Sequence, residues 1–185
     1  AVFEKHATCH VQAVFEPACG TGRLLFRLAR AGYQVSGLDL KPVMVDYCNR
    51  RLERHGFGTP AWVGDMSDFQ LPRPVDAAFN TINSFRHILD HRQAVSHLQA
   101  VARSLSAGGI YVLVLHLSPT EGSPVDNESW SARRGHLAVR ASIRLAERDL
   151  PARREDYKMT YDIWTPTAQM QVHDEFSFRT YTADQ

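Results

Sequence analysis

Cysteine is scarce in this chain: Cys9, Cys19 and Cys48 are the three in 185 residues. An odd count without paired spacing argues against a disulfide framework and for a reducing compartment, so the expected location is cytoplasmic. Long apolar runs are missing as well. Nothing approaches a membrane span, and the opening residues hold no apolar block of the signal-peptide kind. Charge of one sign is also absent: 21 Lys and Arg stand against 20 Asp and Glu, so no overall field recruits nucleic acid or an anionic membrane. No solenoid-type repeat or low-complexity tract is visible. His6, Cys9 and His10 lie close together but lack a fourth ligand and a rigid frame, so a solvated leader is expected there and no metal. What is present is an ordinary globular composition, 44% hydrophobic, long enough to bury a proper core.

Against that background one segment stands out, Glu16-Pro17-Ala18-Cys19-Gly20-Thr21-Gly22-Arg23. It lies between a short apolar strand, Val14-Phe15, and an amphipathic helix carrying Leu24, Leu25, Leu28 and Ala29 before Gly32 ends it. The next strand, Gln34 to Asp39, closes on an isolated acid. Strand, glycine loop, helix, strand and acid is the order in which a doubly wound sheet holds an adenosine-containing cofactor. Gly20 and Gly22 let backbone N–H groups approach a ligand, the helix N-terminus favours a negative group, and Asp39 can accept hydrogen bonds from a ribose diol. The plain alternatives are a strand-end turn for Asp39 and a salt bridge for Glu16.

Pro42 opens the next helix, through Met44, Val45 and Cys48 towards His55 and a stop at Gly56. Pro60 to Val63 reads as the third strand, ending in Gly64-Asp65-Met66, and Val75 to Phe79 as the fourth. Asp90 caps a helix carrying Ala94, Val95, Leu98, Val101, Ala102 and Leu105; Gly108-Gly109 then turns into the fifth strand, Ile110 to Leu115. Five alternations predict an α/β fold with a parallel sheet over residues 1–117. From 118 to 185 the grammar changes. Ser118, Pro119, Gly122, Ser123 and Pro124 break regular structure, and a period of two takes over. Leu137 to Leu145, Tyr157 to Ile163 and Val172 to Phe178 predict a C-terminal antiparallel three-stranded appendix, with Thr165-Pro166 between the second and third runs and one wet and one dry face. Trp130, Arg133, Tyr157, Tyr161 and Trp164 are expected to line a substrate pocket or to make up that dry face, which also suits a homodimer surface.

The loop and strand-end acid resemble the class I S-adenosylmethionine-dependent methyltransferases, whose first motif sets an acid a few residues before Gly-x-Gly; Glu16 holds that acid's place. The resemblance spans Val14 to Leu117. It implies a doubly wound, Rossmann-like, mostly parallel sheet, S-adenosyl-L-methionine as cofactor and methyl transfer to nitrogen or oxygen of a small-molecule substrate. The glycine and sarcosine N-methyltransferase branch is the nearest in pattern. It further implies that Glu16 lies near the methionine ammonium and that Ala18, Cys19, Gly20 and Gly22 form the cofactor loop. Arg23 then pairs with the methionine carboxylate or is simply solvated, and Leu40 and Met44 wall the adenine or join the core. Asp65 accepts from the adenine amino group, with Met66 offering its N–H to a ring nitrogen, unless Asp65 serves only as a helix cap. Asn80 and Thr81 stand beside the sulfonium. Lys41 replaces the small hydroxyl residue that often precedes Pro42 in the family, which weakens that cap. The remainder after Leu117 matches an insertion that some small-molecule members carry after the fifth strand. Thr182-x-x-Gln185 is a capping box whose helix does not follow, so the chain is expected to stop short of the last helix and strands of the core.

The rival on this fold is an NAD(P)-dependent oxidoreductase. Leu25 stands where its third glycine would be, and the sequence after strand four also disfavours it. Neither the Asn/Asp-Pro-Pro-aromatic signature of amino-methylating DNA enzymes nor the Pro-Cys pair of cytosine-5 enzymes is present, so base methylation is not expected. Because the cofactor supplies the electrophile, the protein's main contribution is alignment and exclusion of water. If a proton must leave the acceptor, His116 at the carboxyl end of strand five is the first candidate base and His87 the second; both also read as plain surface or packing residues. A subunit that binds the cofactor without turnover is the non-enzymatic reading.

Overall fold

Val14 and Phe15 point to opposite faces of the first strand, and each anchors one of two cores. The computed structural model describes residues 2–118 and 127–183. It divides into two units, Ala1–Leu115 and His116–Gln185. The first contains, in chain order, α1 (Val2–His6), β1 (Ala13–Pro17), α2 (Arg23–Arg30), β2 (Gln34–Asp39), α3 (Pro42–Glu53), β3 (Ala61–Val63), β4 (Val75–Asn80), a 3-10 turn (Ser84–His87), α4 (His91–Ser104) and β5 (Leu105–Leu113). The five strands lie in the order β3-β2-β1-β4-β5, and every pairing is parallel. The chain winds outward from β1 in both directions, so the order reverses between β1 and β4 and opens a crevice at their carboxyl ends.

The two faces are covered separately. Val14, Ala77 and Phe79 pack with Leu25 and Ala29 of α2 and with Val45, Cys48 and Leu52 of α3. Phe15, Leu38 and Ala78 pack with Ala100 and Val101 of α4, and Phe15 stacks on Trp62 with centroids 5.7 Å apart. The predicted cap of α4 is present: Asp90 accepts from the Gln93 N–H at 3.0 Å. Asp90→Ala is expected to cost about 1 kcal/mol, read as a lower urea midpoint with an unchanged slope.

Three expectations need correcting. The leader is not a solvated tail, because residues 2–6 form α1, whose Phe3 is buried 6.0 Å from the Phe79 ring, and Thr8 N–H donates to the Gly108 carbonyl at 3.0 Å. The fifth strand begins at Leu105 and ends at Leu113. Gly108 takes a φ of +82 and the β4 register shifts between Val75 and Ala77, so the chain passes through its glycines as strand. The C-terminal unit holds four strands, not three: β6 (Asn127–Arg134), β7 (Leu137–Asp149), β8 (Arg154–Trp164) and β9 (Gln169–Arg179), an antiparallel meander in that order. β6 was missed because its residues, Asn-Glu-Ser-Trp-Ser-Ala-Arg-Arg, are all exposed and carry almost no apolar alternation.

The turn at Thr165-Pro166 is where it was expected, closed by Thr165 N–H to the Ala168 carbonyl at 2.8 Å. The expected dry face is only local. Ala141 and Phe178 are buried, whereas Trp130, Leu137, Met170 and Val172 are exposed. Tyr157 packs within a Phe176–Phe178 aromatic group, and its hydroxyl donates to the buried Glu155 at 3.0 Å. The breaker segment Pro119 to Pro124 and the end of the capping box at Gln185 lie outside the described residues.

Candidate functional site

Register builds the site. Glu16 pairs with Gly37 and Pro17 with Leu38, so β1 and β2 end level and the glycine loop emerges beside Asp39. Gly20 N–H donates to Asp39 Oδ2 at 2.8 Å and Lys41 N–H to Oδ1 at 2.9 Å, which locks the carboxylate between loop and strand end. Asp39 is half-buried and keeps further lone pairs for a ligand. The loop is a run of left-handed residues, Ala18 (φ 57), Gly20 (φ 54) and Gly22 (φ 67). At Gly22 a Cβ would run into the Cys48 sulfur. Beneath the loop the Cys19 and Cys48 thiols are both buried, and their mutual interaction pushes the first up and draws the second down.

Glu16 is the electrostatic feature of the crevice. It is 7% exposed, and its Oε2 has no hydrogen-bond partner. Burial first, then the neighbouring Cys48 and Asp39 charges, push its carboxyl up to about 8, while Arg23 and the Leu25 N–H pull the other way. Such a buried carboxyl keeps its proton in the empty site, and a cation placed against its unpartnered oxygen would draw it into the carboxylate form.

Around this pair the other expected residues take different places. Leu40 is 63% exposed and Met44 38%, so neither joins the core; Leu40 follows Asp39 directly and Met44 lies in the first turn of α3. Asp65, just past β3, is exposed and accepts from the Ser67 N–H and hydroxyl at 2.8 and 2.7 Å, so it closes a turn and caps no helix. Met66 is half-buried, its sulfur 3.9 Å from the Asn80 amide nitrogen. Asn80 does not offer its side chain to a ligand. It is 1% exposed, donates to the Pro17 carbonyl at 3.1 Å and accepts from the Phe85 N–H at 3.1 Å, which ties β1 to the 3-10 turn as a floor under the crevice. Thr81 is half-buried at the mouth of β4, and after it Ile82 (φ 61) and Asn83 (φ 64) are both left-handed. A β-branched residue there is strained backbone, the kind that collects at functional sites.

Arg23 is exposed at the first position of α2, and His87 is exposed at the end of the 3-10 turn. His116 does not cap a strand. β5 ends at Leu113, and His116 opens the second unit, exposed. Sequence reasoning passed over His97, which is fully buried and bonded at both ring nitrogens. Its signal was a polar residue in the buried row Ala94, His97, Ala100, Val101 and Ser104 of α4. Among the described residues no three His, Cys, Asp or Glu side chains converge on a metal position.

Residues 14–109, more than half of the chain, match the family model described as a methyltransferase domain. The chain belongs to the class I S-adenosylmethionine-dependent methyltransferases. A methyltransferase relative from Saccharopolyspora spinosa, dTDP-4-amino-2,3,4,6-tetradeoxy-D-glucose N,N-dimethyltransferase, is 31% identical over 106 residues, covering 55% of this chain and 39% of that protein. The chain spans less than half the length of the curated relatives it matches. Among solved structures, Streptomyces venezuelae DesVI superposes with a TM-score of 0.86 at 18% identity, over 99% of this chain and 75% of that one. The sugar N-methyltransferase KedS8 from Streptoalloteichus gives 0.79 at 22%, over 94% and 68%. These structures establish the fold. The glycine and sarcosine branch finds no support in these likenesses.

Proposed function

We propose that this methyltransferase chain binds S-adenosyl-L-methionine in the β1–β4 crevice and serves methyl transfer to the amine of a small molecule. The observation that carries the reading is Glu16, a buried carboxyl group with an unpartnered oxygen beside the glycine loop. The methionine ammonium is the cation that this oxygen lacks, Asp39 takes the ribose diol, and the exposed Leu40 and Met44 take the adenine faces. Ala18, Cys19, Gly20 and Gly22 supply the loop backbone, Arg23 the counter-charge to the carboxylate, Asp65 and Met66 the adenine edge, and Thr81 a contact near the sulfonium. Asn80 supports that contact from below. When bound, the cofactor supplies a sulfonium methyl group for in-line displacement; the chain's own residues orient it and keep water out.

Nitrogen is favoured over oxygen as acceptor because two curated relatives that the chain matches are named for methylation at nitrogen or at a peptide N-terminus, the aminosugar N,N-dimethyltransferase above and a cypemycin N-terminal methyltransferase 29% identical over 105 residues. An amine attacks only when unprotonated, so a base is useful at neutral pH. His87, after β4, is our base candidate in the first unit, and His116 the candidate named from its place in the chain. No helix among the described residues is long and apolar enough to cross a membrane, and the three cysteines are free. A cytoplasmic location and a homodimer both remain part of the proposal.

Leu25 in place of a third loop glycine disfavours a nicotinamide dinucleotide, and so does Glu16, because a pyrophosphate would bring negative charge towards a buried carboxylate. The test is a thermal shift. S-adenosylhomocysteine at a hundred times its dissociation constant should stabilise the protein by about 2.7 kcal/mol, with NAD giving no shift. Stabilisation by NAD alone would end the reading, and binding without transfer to any amine would favour a non-catalytic subunit.

A further inference from the structure

We propose that His97 is a positioning residue for adenine recognition, holding the Asp65–Met66 turn through the Met66 carbonyl. The inference rests on the cofactor reading above and adds a residue that nothing in the sequence pattern or the family match assigns.

His97 is 0% exposed on the inward face of α4. Its Nδ1 lies 2.7 Å from the Met66 carbonyl oxygen and its Nε2 2.8 Å from the Tyr111 hydroxyl. A carbonyl only accepts, so Nδ1 carries the hydrogen. In a neutral ring Nε2 then accepts from the Tyr111 O–H, and one tautomer satisfies both partners. Burial holds the imidazole below its ordinary range and raises the tyrosine hydroxyl, in keeping with a neutral pair; the nearby Asp65 carboxylate and the Met66 carbonyl pull the imidazole the other way. Phe69, Phe85 and Tyr111 surround the ring with centroids 6.4, 5.2 and 5.8 Å away, so it has little room to swivel.

Three elements are joined by this one side chain: the turn after β3, α4, and β5, where Tyr111 pairs with Ala78 of β4. An apolar side chain of similar volume would fill the space without desolvating an imidazole. What such a side chain could not do is grip a backbone carbonyl. The turn's own bonds are local: Asp65 is exposed, its Oδ1 accepts from Ser67 two residues on and its carbonyl from the Asp68 N–H at 3.3 Å, and Met66 packs against the core of Phe15 and Leu38, whereas the His97 bond ties the turn to α4. Fixing the Met66 carbonyl fixes the Met66–Ser67 peptide plane, whose N–H donates to Asp65 Oδ1 at 2.8 Å, and so steadies the Asp65 carboxylate and the adjoining Met66 N–H that read the adenine edge.

The test compares S-adenosylhomocysteine with S-inosylhomocysteine, which carries a keto group where adenine has its amino group, by calorimetric titration of the whole chain. The parent should prefer the adenine compound by tenfold or more, as roughly one charge-assisted hydrogen bond allows. His97→Leu should bring that ratio close to one and leave the inosine compound's affinity nearly unchanged. His97→Asn, whose amide N–H sits near the Nδ1 position, should keep most of the preference, which a space-filling role would not explain. Should the leucine variant fail to fold, Tyr111→Phe decides, because loss of the hydroxyl frees Nε2 and the ratio should fall about threefold. A parent that binds neither compound would refute the cofactor reading itself. A parent that binds both equally, or variants that keep the full ratio, would overturn the role of His97 alone.

Discussion

Glu16→Gln should lower affinity for S-adenosylhomocysteine about 100-fold while making the ligand-free protein more stable in mild alkali. The first effect follows from removing one member of a desolvated charge pair, which costs roughly 2–5 kcal/mol. The second follows from linkage. Folded, Glu16 holds its proton up to about pH 8, against 4.5 for the unperturbed carboxyl. Between those values the native state binds the extra proton, so stability is fully present below 4.5, falls as pH rises through the window and levels off above about 8. Glutamine has no proton to lose. At pH near 9 the variant should melt on the order of 10 °C above the parent, and near pH 4 the two should coincide in scanning calorimetry. Cofactor affinity in the parent should run the opposite way with pH. Binding an ammonium against Glu16 expels its proton, so affinity should rise up to about tenfold per unit until pH 8. A flat profile would remove Glu16 from the cation site.

The second large effect is expected at Gly22, where two demands coincide. Its φ is +67, and a Cβ would strike the sulfur of Cys48 in α3. Gly22→Ala should therefore cost about 2–4 kcal/mol in urea unfolding and lose the cofactor with it, since loop and helix must separate to make room. Gly20 is the control. Its φ is +54, but an added Cβ would meet nothing within 4 Å, so Gly20→Ala should pay the backbone cost alone, about 1 kcal/mol. Equal losses at the two positions would show that the Cys48 contact is not the cause.

The parallel sheet was legible because its signals are local. Val14-Phe15, the row from Leu24 to Ala29 and the Asp90 cap each announce an element within a few residues. Asp39 was legible for the same reason, one acid at the end of one strand. β6 was not: an exposed edge strand has no buried face to impose a period, and its pairing of Trp130 with Ala141 is a property of β7 as much as of itself. Asn80 looked like a ligand group because the family resemblance sets groups at the end of strand four beside the sulfonium. Only the approach of Pro17 and Phe85 shows where both ends of its amide go.

Taken alone, then, the amino-acid order pointed to the α/β architecture and to the pair of acids at 16 and 39, and a resemblance pointed to the family, because Glu16 before the glycine loop and Leu25 in place of a third glycine set it apart from the oxidoreductase on the same fold. Tertiary structure decided which of the named side chains still face outward. It left Glu16 with an unpaired oxygen, turned Asn80 into a tie and set His97 against a carbonyl 31 positions away. Hydrogen bonds between residues distant in the chain depend on how helices and strands converge, and no local period encodes that convergence.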